Sequence, residues 1–129
     1  MSDAPMDAIA AGIQTALDAA DLTEFADLLH PDVRWGPPDD PSPDCTNRKQ
    51  VLTWYRRGRD AGVRADVFEC RVFDCRILIG TQIRGRDEAD GAGSVDRWQV
   101  FTVNGGQIVE ITGYDDRPEA LARAADRGI

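Results

Sequence analysis

Apolar residues in the first part of the chain recur with a helical period. From residue 6 to residue 20 they return every three or four positions, which predicts an amphipathic helix with one buried stripe. Pro5, a residue well tolerated in a first helical turn, marks its start. The stripe contains Met6, Ile9, Ile13, Ala16, Leu17 and Ala20.

A second, shorter helix is predicted next. Asp21 and Glu24 have the spacing of a capping box, with Asp in place of the usual Ser or Thr. Because a residue before proline avoids the helical conformation, His30-Pro31 is expected to end this helix. A short strand over residues 32–35 follows. The buried face of the helix contains Leu22, Phe25, Leu28 and Leu29.

Residues 36–44 contain four prolines, which exclude a helix or a central strand. We interpret this segment as a stiff loop that forms a rim or flap. Asn47 then caps a third helix, with Gln50 at its third position. The apolar side of that helix contains Val51, Leu52, Trp54 and Tyr55.

From residue 63 the apolar period changes to two, which is typical of strands. The predicted strands span residues 63–73, 76–84, 95–103 and 107–114. They form two hairpins, one turning at Asp74 and one at Asn104-Gly105-Gly106. A last helix runs from Asp116 to about Gly128. Since helices and strands are segregated, the predicted fold class is α+β, a curved antiparallel sheet wrapped around helices in a single domain, residues 1–129.

Composition and charge narrow the function classes. The net charge is −8, so the surface repels phosphate backbones and anionic lipid, and we expect no nucleic-acid or membrane partner. The chain has no run of 18 apolar residues and starts with the acidic segment Ser2-Asp3, which predicts a soluble, cytoplasmic protein. All of the 15 basic residues except Lys49 are arginine, a bias typical of GC-rich bacterial genomes.

The cysteines predict thiols rather than disulfides or a metal site. Cys45, Cys70 and Cys75 form an odd set without a CxxC motif, and the single histidine, His30, lies far from them in sequence. We therefore expect no metal and no cofactor. Cys45 lies in the proline-rich region, but a nucleophilic role needs a nearby base that the sequence does not identify.

Three segments resemble one protein family when they are taken in order. Residues 28–35, Leu28-Leu29-His30-Pro31-Asp32-Val33-Arg34-Trp35, resemble the L-h-x-D-V-x-W segment of nuclear transport factor 2-like proteins, and specifically of their SnoaL-like branch. Residues 47–51 resemble its G-R-x-x-V helix start, with Asn in place of Gly. Residues 100–108 and then Tyr114-Asp115-Asp116 resemble its closing hairpin. Together these segments indicate the fold rather than the function, because the fold hosts many activities.

The resemblance implies a cone-shaped sheet with helices inside its curve, a pocket between them, and homodimers through the outer sheet face. With the strand parity of the family, the inward positions are Ile77, Ile79, Thr81, Ile83, Val95, Arg97, Gln99, Phe101, Val109, Ile111, Gly113 and Asp115. The outward positions are Asp96, Trp98, Val100, Thr102, Ile108, Glu110, Thr112 and Tyr114. Trp98, Val100 and Tyr114 are too apolar for a solvated face, which favours a homodimer.

The expected pocket has few polar candidates. Asp115 could act as a general base beside Arg97, or the two could form a structural ion pair. Gln99 is the other polar side chain expected to face the cavity, with Phe101 and Ile111 beside it. His30 could contact a ligand, although its place at a helix end favours capping of helix carbonyls.

Aromatic residues supply the other candidates for ligand contact. Trp35 and Tyr55 are predicted pocket walls, because aromatic rings offer flat area and a polar handle. Trp54 is a further candidate, although core packing is the favoured explanation for its helical spacing.

Two activities known for the fold do not match these residues. Limonene-epoxide-hydrolase-like members use an Arg-x-Asp pair on the third strand and an Asp on the last strand. The corresponding positions here hold Thr81, Ile83 and Gly113, which cannot perform that proton chemistry. The Tyr and protonated acid of a ketosteroid-isomerase oxyanion hole cannot be assembled either.

Three functions therefore stay open. The first is binding of a small, mostly apolar molecule. The second is a cofactor-free isomerase, cyclase or hydrolase that uses Asp115 with Arg97. The third is a structural dimer whose cavity is filled by its own side chains.

Overall fold

The computed structural model describes residues 6–19, 22–36, 45–60, 62, 64–73, 75–84 and 94–125. Its elements are α1 (Met6–Ala19), α2 (Thr23–Leu28), β1 (Leu29–Gly36), α3 (Arg48–Asp60), β2 (Arg64–Val72), β3 (Arg76–Arg84), β4 (Ser94–Asn104), β5 (Gln107–Tyr114) and α4 (Arg117–Ala125). Within these residues, five strands form one curved, unclosed sheet in the order β1-β5-β4-β3-β2, which confirms the α+β prediction. No helix in the described ranges combines the length and apolar character needed to cross a membrane.

Helix α1 follows its predicted stripe. Ile9, Ile13 and Ala16 are buried, and Met6 and Leu17 pack against them. Pro5 and Ala20 lie outside the described residues. The apolar spacing of 3–4 residues thus places one face of the helix in the core, where burying each large side chain stabilises the fold by ~1.5–3 kcal/mol.

Helix α2 is shorter than predicted. It begins after Leu22, which makes no side-chain cap, and it ends at Leu28. Asp21 lies outside the described residues. The prediction that the helix includes Leu29 and ends at His30-Pro31 is wrong, because the backbone at Leu29 is already extended and begins β1.

Strand β1 is longer than the predicted four residues and lies at one edge of the sheet, parallel to β5. The edge position explains why Pro31 is tolerated, since proline donates no ladder hydrogen bond. At its far end Trp35 and Cys45 exchange two backbone hydrogen bonds of 3.0 Å each. This bridge holds together the two ends of the proline-rich segment, whose residues 37–44 lie outside the described ranges.

Helix α3 confirms its predicted cap. The Gln50 amide donates to Asn47 Oδ1 at 2.9 Å, and the Thr46 amide donates to Gln50 Oε1 at 2.7 Å. The two bonds satisfy backbone donors on both sides of the helix start. The helix is therefore fixed at its first turn, and its buried residues Val51 and Leu52 point to the sheet.

The four remaining strands form an antiparallel meander, as predicted. Strands β4 and β5 are joined by Gly105 and Gly106, whose φ angles of 63° and 80° are left-handed and match a type I′ hairpin. The predicted turn at Asp74 and the loop over residues 85–93 lie outside the described residues.

Two bulges change which side chains share a face. In β2, Phe68 is the extra residue between the pairs Val67–Thr81 and Glu69–Gly80. In β5, Val109 is skipped between the pairs Thr102–Glu110 and Val103–Ile108. The predicted outward position of Ile108 is wrong for this reason: the bulge turns it inward, where it is fully buried in the main core.

The inner face of the sheet carries that main core. Helices α1, α2 and α3 pack over it, and its largest buried side chains include Phe25, Ile77, Ile79, Phe101 and Ile111. These inward positions follow the predicted alternation in β3, β4 and the last part of β5.

The outer face is covered in part by α4 of the same chain. Ala120 and Ala124 pack on Leu78, Val100 and Tyr114, and all five side chains are buried. The apolar character of Val100 and Tyr114 is thus explained within one chain. The homodimer stays a prediction, since the exposed outer apolar surface in the described ranges shifts toward Trp98 and Phe68, of which Phe68 is 53% exposed.

Candidate functional site

A pocket of about 560 Å³ opens between the helices and the inner face of the sheet, beyond the end of the packed core. Its wall combines the last turns of α1 and α3 with β1, β2, β3, β4 and β5. The side chains or backbone of the following residues line it: Ala16, Leu17, Asp18, Leu22, Trp35, Trp54, Tyr55, Arg57, Gly58, Arg59, Ala65, Asp66, Thr81, Ile83, Arg97, Trp98, Gln99 and Gly113. Most of this wall is apolar, so the pocket suits an apolar guest.

Aromatic rings form one side of the pocket. Trp35 of β1 stacks on Tyr55 of α3, with ring centroids 5.0 Å apart and planes at 14°. Trp54 meets Trp35 edge to face at 5.7 Å. Phe25 supports Tyr55 from the core side at 5.2 Å, also edge to face. The predicted walls Trp35 and Tyr55 thus lie together, and such ring pairs hold one another rigidly.

Trp54 lies at the pocket but outside the core. Its side chain is 56% exposed, so the favoured sequence interpretation of core packing is wrong. Because Trp54 comes one residue before Tyr55 on α3, its side chain is rotated out of the buried stripe and toward the pocket opening. An exposed indole that contacts Trp35 offers apolar area to a ligand at this opening.

The hydroxyl of Tyr55 is buried without a hydrogen-bond partner in the part of the chain that the structure describes. Burial raises the pKa of Tyr55 above its usual range, so the phenol stays protonated, while the nearby side chain of Gln99 lowers that pKa slightly. Gln99 thus faces the hydroxyl, but the two groups do not reach good hydrogen-bond geometry. A buried hydroxyl in this state carries a cost of ~1–3 kcal/mol.

The sheet side of the pocket is formed by alternate residues of β3, β4 and β5. Thr81, Ile83, Arg97, Gln99 and Gly113 line it, which agrees with their predicted inward parity. Thr81, Ile83 and Gly113 are the three positions that would hold the Arg and the two Asp residues of the epoxide-hydrolase-like members. A Cβ atom added at Gly113 would meet nothing within 4 Å, so this glycine leaves open space in the pocket.

The predicted catalytic pair is present as an ion pair at the edge of the pocket. Arg97 Nε lies 3.0 Å from Asp115 Oδ1, and the two side chains are 48% and 81% exposed. Arg97 lines the pocket, whereas Asp115 is outside the described lining. This geometry matches a solvated ion pair more closely than a buried base, because water screens the charges of both groups.

The other predicted ligand contacts lie elsewhere. Phe101 and Ile111 are buried in the main core below the pocket. His30 lies within β1, where its Nδ1 accepts a hydrogen bond of 3.0 Å from the Asp32 amide, so it does not cap a helix. Cys45 is buried beside the pocket wall. No group of His, Cys, Asp or Glu that could hold a metal occurs among the described residues.

Several lining residues were not predicted. The last turn of α3 contributes Arg57, Gly58 and Arg59, and Asp18 and Asp66 approach from α1 and β2. The signal for Gly58 is its place three residues after Tyr55, on the same helix face. Nothing in the sequence pattern indicates that β2 approaches the end of α1, where the Val67 amide donates to Asp18 Oδ1 at 3.1 Å.

Solved structures with the same fold agree with this architecture. A proposed polyketide cyclase from Sinorhizobium meliloti superposes with a TM-score of 0.65 at 20% identity, over 84% of this chain and 97% of its own. A proposed ketosteroid isomerase from Kribbella flavida gives 0.68 at 19% identity, over 82% and 73%. A nuclear transport factor 2-like protein of unknown function from Mesorhizobium loti gives 0.70 at 19% identity, over 88% and 98%. At these identities the likeness shows the fold alone.

Among curated proteins, none matches the sequence. The model of the SnoaL-like domain matches residues 10–111, which include most of α1, the aromatic wall, strands β2 to β4, the first part of β5 and most of the pocket lining. This match covers most of the chain and confirms the resemblance of the three sequence segments. The chain therefore belongs to the SnoaL-like family.

Proposed function

We propose that this protein binds a small, mostly apolar molecule in the pocket between α3 and the inner face of the sheet. The observation that carries the proposal is a cavity of about 560 Å³ with a preformed aromatic wall. Ligand sites are typically clefts of ~300–1,000 Å³ with mostly apolar walls and few polar groups. A cavity of this size argues against the alternative of a structural module filled by its own side chains.

The structural neighbours support a ligand of this kind. The names of two of them refer to a polyketide and to a ketosteroid, which are small organic molecules. Their shared fold supports a similar use of the pocket here, and the identity of the ligand has to come from this chain's own lining.

Gly113 offers a direct test, because a larger side chain there has open space to enter. The Cβ of Gly113→Leu would meet nothing within 4 Å, so the leucine should fill part of the pocket and weaken binding of a neutral apolar fluorescent probe such as N-phenyl-1-naphthylamine at least about tenfold. Ala11→Leu introduces the same side chain on the exposed face of α1 and serves as the control. Equal probe affinity in the two variants would refute a binding role for the pocket.

A second candidate is cofactor-free catalysis by Asp115 with Arg97. Its support is the 3.0 Å ion pair at the pocket edge. For this role a ligand has to displace the guanidinium from the carboxylate, so that Asp115 can accept a proton. On any substrate that is found, Asp115→Asn should reduce turnover at least about a hundredfold, the lower end for a general base. Unchanged turnover would exclude the catalytic role.

We also propose a homodimer and a cytoplasmic location. Phe68 and Trp98 meet edge to face at 6.0 Å on the outer face, and Phe68 is largely exposed, so a second copy could bury both. Sedimentation equilibrium of the purified chain should then give twice the monomer mass, and Phe68→Arg should shift the mass toward the monomer. A monomer at all concentrations would remove the dimer from the proposal.

A further inference from the structure

The polar groups on the sheet side of the pocket differ in whether their hydrogen-bonding atoms already have partners. Thr81 donates its hydroxyl to the Arg97 carbonyl at 3.4 Å, so its hydrogen is engaged. Arg97 carries donors only. Gln99 has no hydrogen bond to another described residue that meets good geometry, and it borders the buried, unpartnered hydroxyl of Tyr55. The side-chain amide of Gln99 is therefore available for a hydrogen bond to a ligand.

The Tyr55 hydroxyl determines how that amide is oriented. Because the phenol keeps its proton at all ordinary pH values, it is a permanent donor. A phenol is also a better donor than acceptor, since its oxygen lone pair is delocalised into the ring. A small rotation of Gln99 lets the hydroxyl donate to Oε1, and the Nε2 hydrogens are then free to point into the pocket.

We propose that Gln99, positioned by Tyr55, is a specificity-determining donor that selects an apolar ligand bearing a neutral carbonyl group. The inference rests on the proposed function and adds the chemical class of its ligand. Tyr55 acts through Gln99 and is a positioning residue. When a ligand carbonyl accepts a hydrogen bond from Nε2, it holds the amide in the orientation in which Oε1 accepts a hydrogen bond from the buried Tyr55 hydroxyl.

The charges around the pocket favour a neutral acceptor over a carboxylate. Three cations line the pocket, Arg57, Arg59 and Arg97, and two anions, Asp18 and Asp66. Arg59 is paired with Asp60 and Arg97 with Asp115, so the charges nearly cancel and leave no excess of positive charge for a carboxylate. The chain as a whole carries a net charge of −8, which repels anionic ligands. A ketone or ester oxygen takes the same hydrogen bond without this repulsion.

A site built around an unpaired donor discriminates strongly against a ligand that lacks the acceptor, because the polar groups are then left buried and unsatisfied. The suitable probe pair is 6-propionyl-2-(dimethylamino)naphthalene and its 6-propyl analogue, which differ only in the carbonyl group. Fluorescence titration gives both affinities. The emission wavelength of the ketone also reports hydrogen-bond donation to its carbonyl.

The native protein should bind the ketone about tenfold more tightly than the propyl analogue. Gln99→Met keeps the size of the side chain but removes the donor, and Tyr55→Phe removes the positioning hydroxyl. In both variants the ratio of the two affinities should fall toward one. The emission of the bound ketone should also shift to shorter wavelength. A naphthalene carboxylate of the same size should bind more weakly than the ketone.

The outcomes separate this inference from the proposed function. Binding of both probes with equal affinity, or a preference that survives Gln99→Met, overturns the donor role and leaves the pocket as an apolar site. A preference for the carboxylate overturns the neutral class. Failure of both probes to bind, or binding that Gly113→Leu does not weaken, overturns both proposals.

Discussion

The two faces of the sheet differ in how closely their side chains are packed. On the outer face, α4 buries Ala120 and Ala124 against the strands, and Trp98 Nε1 donates to Glu69 Oε1 at 3.3 Å. Arg117 completes that group with bonds of 2.9 and 2.6 Å to the two Glu69 oxygens. A hydroxyl is buried without a partner among the described residues on both faces, Thr102 on the outer face and Tyr55 on the inner face. What distinguishes the inner face, beyond the core, is the open space around Gly113.

The two faces differ in what a substitution is expected to change, stability on the outer face and binding in the inner pocket. Where polar groups are paired within the chain and apolar groups are packed, a substitution is expected to cost free energy of unfolding. Where a buried donor is unpaired and space is left open, the chain gives up stability that a ligand can restore. We therefore propose that the outer face is the structural side of the sheet and that the inner pocket is its binding side.

The largest contrast is expected between two residues of β3. Leu78 is fully buried under α4, whereas Ile83 is only partly buried and lines the pocket. Leu78→Ala should lower the free energy of unfolding by about 3 kcal/mol, since it leaves a cavity in a packed cluster. Ile83→Ala should cost less than about 1 kcal/mol, because it enlarges a space that is already open.

Urea denaturation of both variants measures this difference. Similar losses for the two substitutions would mean that the pocket side is packed as tightly as the outer face. That result would contradict the contrast between the faces.

The Tyr55 hydroxyl predicts a change of the opposite sign. Tyr55→Phe removes a buried polar group that has no partner, so the free energy of unfolding should rise by about 1 kcal/mol. The same variant should lose its preference for a carbonyl ligand. A drop in stability would indicate that the hydroxyl is already bonded to Gln99 without a ligand.

Glu69 gives the smallest expected effect, and it depends on pH. Hydrogen bonds from Arg117, and then from Trp98, lower the pKa of the Glu69 carboxyl in the folded state. A lowered folded pKa contributes stability above the unfolded pKa of ~4.3 and loses it as the pH falls through the folded value.

Glu69→Gln should therefore lower the Tm at pH 7 by only a few degrees, because the pair is partly exposed. The difference from the native protein should shrink as the pH falls below about 4. Thermal melts from pH 3 to pH 7 check this, with Glu119→Gln on the exposed face of α4 as the control. A constant difference over the whole range would contradict the assigned ion pair.

Local signals in the sequence were sufficient for most of the fold. The cap of α3 was predictable because Asn47 and Gln50 need only each other and the backbone between them. The β4–β5 hairpin was predictable because two successive glycines take left-handed φ angles at no steric cost. Strict alternation divided β3 and β4 into two sets of residues, and the family resemblance indicated which set faces inward.

The remaining features depend on interactions that the sequence pattern does not encode. A bulge such as that at Val109 inserts one residue without a change in composition, so Ile108 was assigned to the wrong face. The short amphipathic helix α4 fits either face of a sheet, and its packing on the outer face comes from tertiary contacts. The unpaired state of the Tyr55 hydroxyl is likewise a property of the assembled pocket.

The three tryptophans provide a direct test of the central claim, that the inner pocket is the binding side of the sheet. Trp35 and Trp54 form its aromatic wall, while the indole of Trp98 packs on Phe68 and Glu69 of the outer face. In a ¹⁵N-labelled sample, their three indole N–H signals can be assigned with single Trp→Phe variants. On titration with the ketone probe, we expect the Trp35 and Trp54 signals to shift together and further than the Trp98 signal, since Trp98 also borders the pocket but its indole packs on Phe68 and Glu69. A largest shift at Trp98, or no shift at Trp35 and Trp54 at saturating probe, would contradict the claim.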